Sequence, residues 1–323
     1  MQKILEIKNL KVYFPLKKSF WSKTQIVRAL DNVSFDVYSG ETLGIVGESG
    51  CGKSSLARAL VALNKITDGE VVFQGVDNLA KLSAKRWHEV RQQIQFIFQD
   101  PVAVLNPRMT AAEIIAEPLK IYYPQLRSSE VTEQVVDMMQ LVGLSINQFN
   151  RYPQELSGGE CQRVGIARAL VLKPKLIICD ESVSALDVSI KSQIINLLKD
   201  LQKKLHLTIL FISHDLGVVK YICDRVLVMY LGNIMELSNK KILYTNPHHP
   251  YTQALLAAVP IANPRLERNK PIQILGGELP SPITPPIGCV FSTRCPLADN
   301  ECRASRPLLR YLTDGTLVAC FKA

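Results

Sequence analysis

Residues 47–54 are suited to phosphate chemistry, because they fit the pattern G-x-x-x-x-G-K-[ST] that is typical of phosphate-binding loops. Glycine has no Cβ, so the backbone N–H groups of such a P-loop approach phosphate oxygens closely. Lys53 is expected to reach the β- and γ-phosphates of a nucleotide, and Ser54 to place its hydroxyl on Mg²⁺. The sequence therefore predicts a nucleotide site made of Gly47, Glu48, Ser49, Gly50, Cys51, Gly52, Lys53, Ser54 and Ser55.

The residues on either side of the P-loop predict a strand before it and a helix after it. Thr42–Val46 is a short apolar run suited to a buried strand, and Leu56, Ala59, Leu60 and Leu63 recur at helical spacing. Bound phosphates would then lie at a helix N-terminus, where free N–H groups favour anions. The alternative is a glycine-rich turn that binds no ligand.

Two carboxylates follow another apolar run. Residues 176–179 predict a buried strand that delivers Asp180 to the edge of a sheet, where its carboxylate could hold Mg²⁺. Glu181 would then face the γ-phosphate and accept a proton from an attacking water. The alternative is that the two acids only cap a turn.

A third element, Leu-Ser-Gly-Gly-Glu at residues 156–160, opens a predicted helix and offers a second anion site. A chain with one P-loop and one such loop can pair head to tail with a like chain, so that each loop faces the other chain's P-loop across nucleotide. The candidate residues are Ser157, Gly158 and Gly159. A glycine-rich helix cap without ligand is the alternative.

In order and spacing, these elements resemble the motif set of the ATP-binding subunits of ABC transporters over residues 1 to about 235. The resemblance implies that the nucleotide is ATP and that the chain is an ATPase. It makes residues 47–54 the Walker A loop, residues 156–160 the signature motif, Asp180 the Walker B acid and Glu181 the catalytic acid.

The same resemblance adds further site residues. Gln99, in Phe-Gln-Asp-Pro, matches the Q-loop and is expected to take part in catalysis and to help hold Mg²⁺. Residues 184–187 match the D-loop, and His214 matches the switch histidine that contacts the γ-phosphate. An aromatic side chain should stack on adenine; register favours Phe14, with Tyr13 next to it, although a lone aromatic is more often part of a core.

Other segments resemble the peptide-importer branch of this family. Residues 98–110, the Asn-Pro-His-His-Pro-Tyr-Thr run at 246–252, and residues 277–296 extend the resemblance almost to the end of the chain. Within that branch the chain looks like the F-type ATP-binding subunit of dipeptide or oligopeptide systems, and nickel importers are the alternative. Ser182 stands where the family often has proline, and the Ala103–Val104 pair replaces small polar residues.

The resemblance also implies partners and a location. They are a second ATP-binding subunit that forms a heterodimer with this chain, two membrane permease subunits and a separate solute-binding protein. The chain would then be a peripheral protein at the cytoplasmic face of the cell membrane. Specificity for cargo would reside in the permease and the solute-binding protein.

Four of the eight cysteines fall in the last 35 residues: Cys289, Cys295, Cys302 and Cys320. Disulfides are disfavoured in a reducing cytosol, so the group calls for a metal interpretation. Five, six and seventeen residues separate the cysteines, whereas structural zinc sites usually contain C-x₂₋₄-C pairs. The family resemblance implies a [4Fe–4S] cluster; zinc and no metal remain open. Cys295→Ser is expected to loosen residues 280–323 and to spare nucleotide binding.

Bulk properties narrow the classes of function. The 323 residues suggest two domains, no apolar run approaches 18 residues, and the amino terminus lacks the apolar stretch of a signal peptide, so a cytosolic protein is expected. The net charge of +9 is the only support for a nucleic-acid-associated ABC ATPase, and the chain has one cassette and no heptad run. No nucleic-acid partner is therefore expected. A non-catalytic nucleotide- and metal-sensing module is disfavoured because every catalytic position is filled.

The predicted fold class is α/β, because strands and helices alternate around the P-loop and again at residues 160–235, which favours a largely parallel sheet. An ABC ATP-binding domain is expected over residues 1–260, with a helical insertion at about 100–160 whose helices are broken by prolines, Pro118 among them. A proline-rich connector that includes Pro264 and Pro271 would lead into a small Pro/Cys-rich carboxy-terminal domain at 261–323.

Overall fold

The structure, a computed structural model, describes residues 2–16, 25–75, 78–184, 186–260, 268 and 276–323. These residues divide into two compact units. The first comprises Met1–Tyr38, Thr42–Lys81 and Ser213–Ala323, and the second comprises Ser39–Glu41 and Leu82–Ile212. Pro264 and Pro271 of the predicted connector, and Ala185 of the predicted D-loop, lie outside the described residues.

The strands within the described ranges are β1 Lys3–Leu16, β2 Gln25–Tyr38, β3 Thr42–Val46, β4 Asp68–Phe73, β5 Ile94–Ile97, β6 Leu176–Asp180, β7 Thr208–Ile212, β8 Arg225–Tyr230, β9 Asn233–Asn239, β10 Arg310–Tyr311 and β11 Leu317–Val318. The α-helices are α1 Lys53–Leu60, α2 Ala84–Gln93, α3 Pro101–Val104, α4 Ala111–Tyr122, α5 Ser128–Leu141, α6 Gly158–Leu170, α7 Val188–Leu205, α8 Leu216–Ile222, α9 Lys240–Thr245, α10 Pro250–Ala257 and α11 Asn300–Ala304. Short 3₁₀ helices occupy Leu79–Lys81, Ile146–Gln148 and Pro153–Glu155.

The first unit contains two groups of strands. β1 pairs antiparallel with β2 on one side and with β4 on the other. In the second group β3 runs parallel to β8, and β9 continues antiparallel from β8. The hairpin β10–β11 extends this group through antiparallel pairing of β11 with β9, so the carboxy-terminal residues form part of the sheet that carries the P-loop.

The second unit is built on three parallel strands in the order β7-β6-β5. Their side chains are mostly buried, as expected for strands that are covered on both faces. Between β5 and β6 the chain forms the helices α3 to α6, which contain the region of the predicted insertion. Helix α7 buries one apolar face, and it ends where His206 adopts a left-handed conformation with φ of 50°.

Two local predictions about helices were wrong. Pro118 lies inside α4 and does not end it. Proline removes one backbone donor, but Ile114, Ile115 and Leu119 are buried on both sides of it and hold the helix together by packing. Leu63 was predicted on the helix after the P-loop, yet α1 ends at Leu60 and Leu63 is exposed.

The α/β class was predicted correctly, while a separate carboxy-terminal domain is not confirmed. Residues 276–323 belong to the same compact unit as the P-loop, and the domain boundaries at 260 and 261 stay a prediction. Within the described ranges, no helix combines the length and the apolarity that a membrane span requires.

Candidate functional site

The P-loop connects β3 to α1, and its glycines are required by close contacts. A Cβ on Gly47 would lie 2.1 Å from the carbonyl oxygen of Met229, and one on Gly52 would lie 2.3 Å from that of Ala29. Both glycines also have positive φ, 151° and 106°, which side-chain-bearing residues rarely adopt. The loop is therefore packed tightly against β2 and the end of β8.

Lys53 lies at the first position of α1 and is buried, with 5% of its surface exposed. Its Nζ donates hydrogen bonds to the carbonyl oxygens of Gly47 (2.8 Å) and Glu48 (3.0 Å). The ammonium group is thus held over the loop by backbone acceptors. A triphosphate that enters the loop would offer this charge better acceptors, because bonds between two charged groups are the stronger ones.

The loop is also held by side chains from the carboxy-terminal half of the unit. The backbone N–H of Glu48 donates to the Tyr251 hydroxyl at 2.9 Å, and Arg294 Nη1 donates to Glu48 Oε2 at 2.8 Å. Burial of Tyr251 raises the pKa of its hydroxyl, so it remains a neutral partner. Sequence reasoning assigned no role to Tyr251 or Arg294, because neither residue lies near the loop in the chain.

Tyr13 and Phe14, the two candidates for adenine stacking, lie on β1 and differ in their surroundings. The Tyr13 hydroxyl donates to Asp31 Oδ1 at 2.6 Å, and burial raises its pKa to about 12. Burial alone would raise the pKa of Asp31, but hydrogen bonds from Tyr13 and Arg306 lower it. Phe14 is 36% exposed. Tyr13 is therefore tied down by its hydroxyl, while Phe14 offers an accessible ring.

In the second unit, Asp180 is the last residue of β6 and is 4% exposed. Glu181 follows it with a left-handed φ of 48°, an uncommon conformation for a residue with a side chain, which is often found at functional sites. Its N–H donates to the Ile212 carbonyl at 3.1 Å, which ties this turn to β7. Gln99 Nε2 lies 3.4 Å from Glu181 Oε2, so the structure brings these two predicted catalytic residues together.

The signature residues open α6. The Ser157 hydroxyl accepts from the Glu160 N–H at 3.3 Å, and the Glu160 carboxylate accepts from the Ser157 N–H at 2.7 Å, which is a capping box. The latter bond lowers the pKa of Glu160. A Cβ on Gly159 would approach the Ile190 side chain to 2.7 Å, so α7 requires a glycine there, whereas Gly158 has ordinary space.

His214 lies in the first unit, just before α8, and its side chain is exposed. The neighbouring Ser213 donates its N–H to the Ile45 carbonyl at 3.2 Å. Ile45 belongs to β3, the strand that leads into the P-loop. The histidine thus follows a residue that is paired with the P-loop strand.

The four carboxy-terminal cysteines line one small cavity of about 10 Å³, together with His249 and Phe291. Burial raises the pKa of Cys289 to about 11, and the charges that Cys302, Cys320 and Cys295 would carry add to this shift. Across the part of the chain that the structure describes, however, no three His, Cys, Asp or Glu side chains are arranged to hold a metal ion. The thiols are therefore near one another, but not in a ligating arrangement.

Comparisons with known proteins identify two family regions. Residues 30–184 match the ABC transporter family, and residues 235–302 match the family described as "Oligopeptide/dipeptide transporter, C-terminal region". The oligopeptide transport ATP-binding protein OppF of Haemophilus influenzae is 57% identical over 322 residues, which cover 99% of this chain and 97% of the relative. OppF of Salmonella typhimurium is 59% identical over 309 residues, which cover 95% of this chain and 92% of the relative.

Solved structures of ATP-binding cassettes agree with these matches. The dimeric ATP-binding cassette MJ0796, in a post-hydrolysis state bound to ADP and phosphate, covers 73% of this chain and 98% of its own with 29% identity and a TM-score of 0.65. CbiO1 of Clostridium perfringens, part of the ABC transporter complex cbiONQ, covers 76% and 92% with 27% identity and the same TM-score. By identity over nearly its whole length, this chain belongs to the ABC transporter family, among the oligopeptide transport ATP-binding proteins.

Proposed function

We propose that this chain is the ATP-hydrolysing subunit that powers import of dipeptides or oligopeptides through an ABC permease. The observation that carries the proposal is the match over nearly the full length to proteins that are named for oligopeptide transport. The P-loop supports it, since Lys53 and the tightly packed glycines form a loop suited to polyphosphate.

Within this proposal the P-loop binds the phosphates of ATP and Phe14 stacks on adenine, because its ring is accessible while the hydroxyl of Tyr13 is bonded to Asp31. The signature motif of the second ATP-binding subunit would complete this site from the other side, and Ser157 and Gly159 of this chain would complete the site of that subunit. Most of the rate in phosphoryl transfer comes from positioning and charge stabilisation, so these contacts matter more than any covalent chemistry.

Ser54, Asp180 and Gln99 would hold Mg²⁺. A hydroxyl, a carboxylate and an amide oxygen are the hard oxygen donors that this ion takes, so the donor set fits. When bound, the ion neutralises charge on the β- and γ-phosphates. Glu181 would orient the attacking water and accept its proton, and His214 would contact the γ-phosphate.

Glu181→Gln tests the catalytic assignment. The variant should bind ATP as the wild type does but hydrolyse it about 10²- to 10⁴-fold more slowly, because the amide cannot accept a proton. Equilibrium ATP binding and phosphate release, measured on the same preparation, separate the two effects. Near-normal turnover would remove Glu181 from this role.

The proposed partners are a second ATP-binding subunit, two permease subunits and a solute-binding protein, with this chain peripheral at the cytoplasmic face of the membrane. Uptake of labelled tripeptide and of labelled nickel in cells that lack the chain, complemented by wild type or by Glu181→Gln, tests the cargo. Peptide uptake that only the wild type restores supports the proposal. Restored nickel uptake with unchanged peptide uptake would contradict it.

We also propose that Cys289, Cys295, Cys302 and Cys320 bind a [4Fe–4S] cluster, since four thiolates are the usual ligand set and all four line one cavity. Binding of a cluster would require the four thiols to rearrange, because among the described residues they are not arranged to hold a metal ion. Iron and acid-labile sulfide in anaerobically purified protein test this: about four of each per chain supports a cluster. Absence of both, or one zinc, contradicts it and leaves the ATPase proposal intact.

A further inference from the structure

The cysteine-rich segment, residues 289–320, contacts the P-loop directly. Arg294 stands between Cys289 and Cys295, and its Nη1 donates to Glu48 Oε2 at 2.8 Å. The Arg294 side chain is only 10% exposed, and that of Glu48 is 28% exposed. This ion pair is therefore largely shielded from solvent, unlike the freely exposed pairs that contribute little.

Aromatic packing holds Arg294 in place. Its guanidinium carbon lies 5.9 Å from the centre of the Tyr230 ring. Phe291, on the same segment, packs edge-on against Tyr230 with ring centres 5.3 Å apart and lies at the same distance from Tyr251. Tyr251 in turn accepts the Glu48 N–H. Glu48 is thus held through both its backbone and its side chain by one buried cluster.

The charge of Glu48 has a consequence for nucleotide binding. A carboxylate in a phosphate-binding loop repels the phosphates, unless a cation neutralises it and draws it aside. Arg294 supplies that cation, because its Nη1 donates to the Glu48 carboxylate at 2.8 Å and a guanidinium keeps its charge across the physiological pH range. We propose that Arg294 is a positioning residue for ATP binding: it withdraws and neutralises the Glu48 carboxylate, so that the P-loop accepts a polyphosphate.

This inference rests on ATP binding by the P-loop and goes beyond it, because it makes the fold of the cysteine-rich segment a determinant of nucleotide affinity. It leads to a different expectation for that segment from the one drawn from sequence. Loosening residues 280–323 should weaken nucleotide binding, because Arg294 would move away from Glu48.

The test measures dissociation constants of ATP and of inorganic tripolyphosphate, both as competitors of a fluorescent ATP analogue, with full-length protein. Arg294→Gln should raise both constants about tenfold, the usual size of a lost hydrogen bond between charged groups. Glu48→Gln alone should change them less than Arg294→Gln does, because it removes the tether and the repelling charge together. Adding Glu48→Gln to Arg294→Gln should recover most of the lost affinity.

Glu48→Gln removes the carboxylate that Arg294→Gln leaves unpaired, so it should relieve both repulsion of phosphate and any loss of stability. Urea unfolding of the same variants separates positioning from structural support, because only a structural role makes the change in affinity follow the change in stability. Arg294→Lys, which keeps the charge, should retain most of the affinity. Arg127→Gln is the control: it also breaks an Arg–Glu ion pair, at 3.0 Å, but an exposed one at the N-terminus of α5, a helix that carries none of the ATP-binding residues. It should leave both constants unchanged.

Three outcomes would overturn the proposal: affinities of Arg294→Gln equal to those of Arg127→Gln, a double variant as weak as Arg294→Gln, or a fall in kcat at saturating ATP without a change in affinity. If Arg294→Gln does not fold, the comparison of Arg294→Lys with Arg294→Lys/Glu48→Gln carries the test. Wild-type protein that bound no ATP would overturn the proposed function and this inference together.

Discussion

The P-loop and the cysteine-rich segment belong to the same compact unit, yet they are held in place in different ways. The loop is held chiefly by close packing of its backbone: Gly47 and Gly52 face carbonyl oxygens of Met229 and Ala29 at distances that leave no room for a Cβ. The segment is held by its side chains, chiefly the Phe291 ring and the ion pair of Arg294. The P-loop therefore depends on glycines, which have no side chain, and the cysteine-rich segment depends on the large side chains of Phe291 and Arg294.

This difference decides which changes each region tolerates. A loop that is packed by its backbone does not tolerate an atom added at a contact position such as Gly47 or Gly52, because packed backbone has little freedom to move. A contact between side chains weakens gradually, according to how much charge or buried ring area a substitution removes. Changes in the P-loop should therefore have larger and less graded effects on ATP binding than changes in the segment.

The largest effect is expected for Gly47→Ala. The new methyl group would lie 2.1 Å from the Met229 carbonyl oxygen, and φ of 151° is unfavourable for alanine, so the loop must shift. A displacement of about 1 Å at a reacting centre costs about a hundredfold in rate, and we expect at least that loss of ATP hydrolysis. Phosphate release at saturating ATP measures it.

Gly50→Ala is the matched control for that substitution. Gly50 also has a positive φ, 78°, but nothing lies within 4 Å of the position of its Cβ. Its variant meets only the backbone strain of about 1–2 kcal/mol and should lose less activity than Gly47→Ala. Equal losses would show that strain, and not contact with β8, explains the glycines.

The same difference explains what could be predicted from sequence. The P-loop, the strand before it and the acids at the end of β6 are encoded within short windows, so their spacing was sufficient. The ion pair of Arg294 with Glu48 joins residues 246 positions apart, and no local pattern specifies such a contact. The aromatic cluster around Phe291 was missed for the same reason.

Other features depend on packing that a local rule does not contain. Pro118 was expected to break a helix, but burial of its neighbours outweighs the lost hydrogen bond. The left-handed conformation of Glu181 could not be predicted, because a glutamate has no intrinsic preference for it. The clustering of the four cysteines in sequence suggested that they lie together, and they do line one cavity. Their spacing did not predict how the thiols are arranged in it.

A smaller effect, on stability, is expected where the segment covers His249. Its ring lies 5.8 Å from that of Phe291, and burial lowers its pKa from 6.5 to about 4, while hydrogen bonding to the Ala319 backbone acts in the opposite direction. Between these two values the unfolded chain binds a proton that the folded chain does not, so stability falls as the pH falls through this window. From pH 7 to pH 5 the loss should be about 2 kcal/mol.

His249→Asn isolates this contribution. His249 Nδ1 accepts the Tyr251 N–H at 3.0 Å at the start of α10, and asparagine caps helices in the same way without titrating. Urea unfolding of both proteins at pH 7 and pH 5 gives the comparison. Equal losses of stability in the two proteins would mean that the segment does not keep His249 neutral.

The smallest effect is expected for Arg306→Gln, which tests whether the segment supports the adenine side as well as the phosphate side. Arg306 Nη1 donates to Asp31 Oδ2 at 2.8 Å, and Asp31 in turn accepts from Tyr13, the neighbour of Phe14. Because Arg306 is 32% exposed, solvent screens the pair. The dissociation constant of ATP should therefore rise only about twofold to threefold.

Tripolyphosphate distinguishes the two ends of the site, because it has phosphates and no base. Arg306→Gln should weaken ATP and leave tripolyphosphate unchanged, whereas Arg294→Gln weakens both. Tyr13→Phe, which removes only the hydroxyl that is bonded to Asp31, should behave as Arg306→Gln does. If Arg306→Gln weakened tripolyphosphate as much as ATP, its effect would come from the fold of the whole segment, and the separation between a base-side and a phosphate-side contact would be lost.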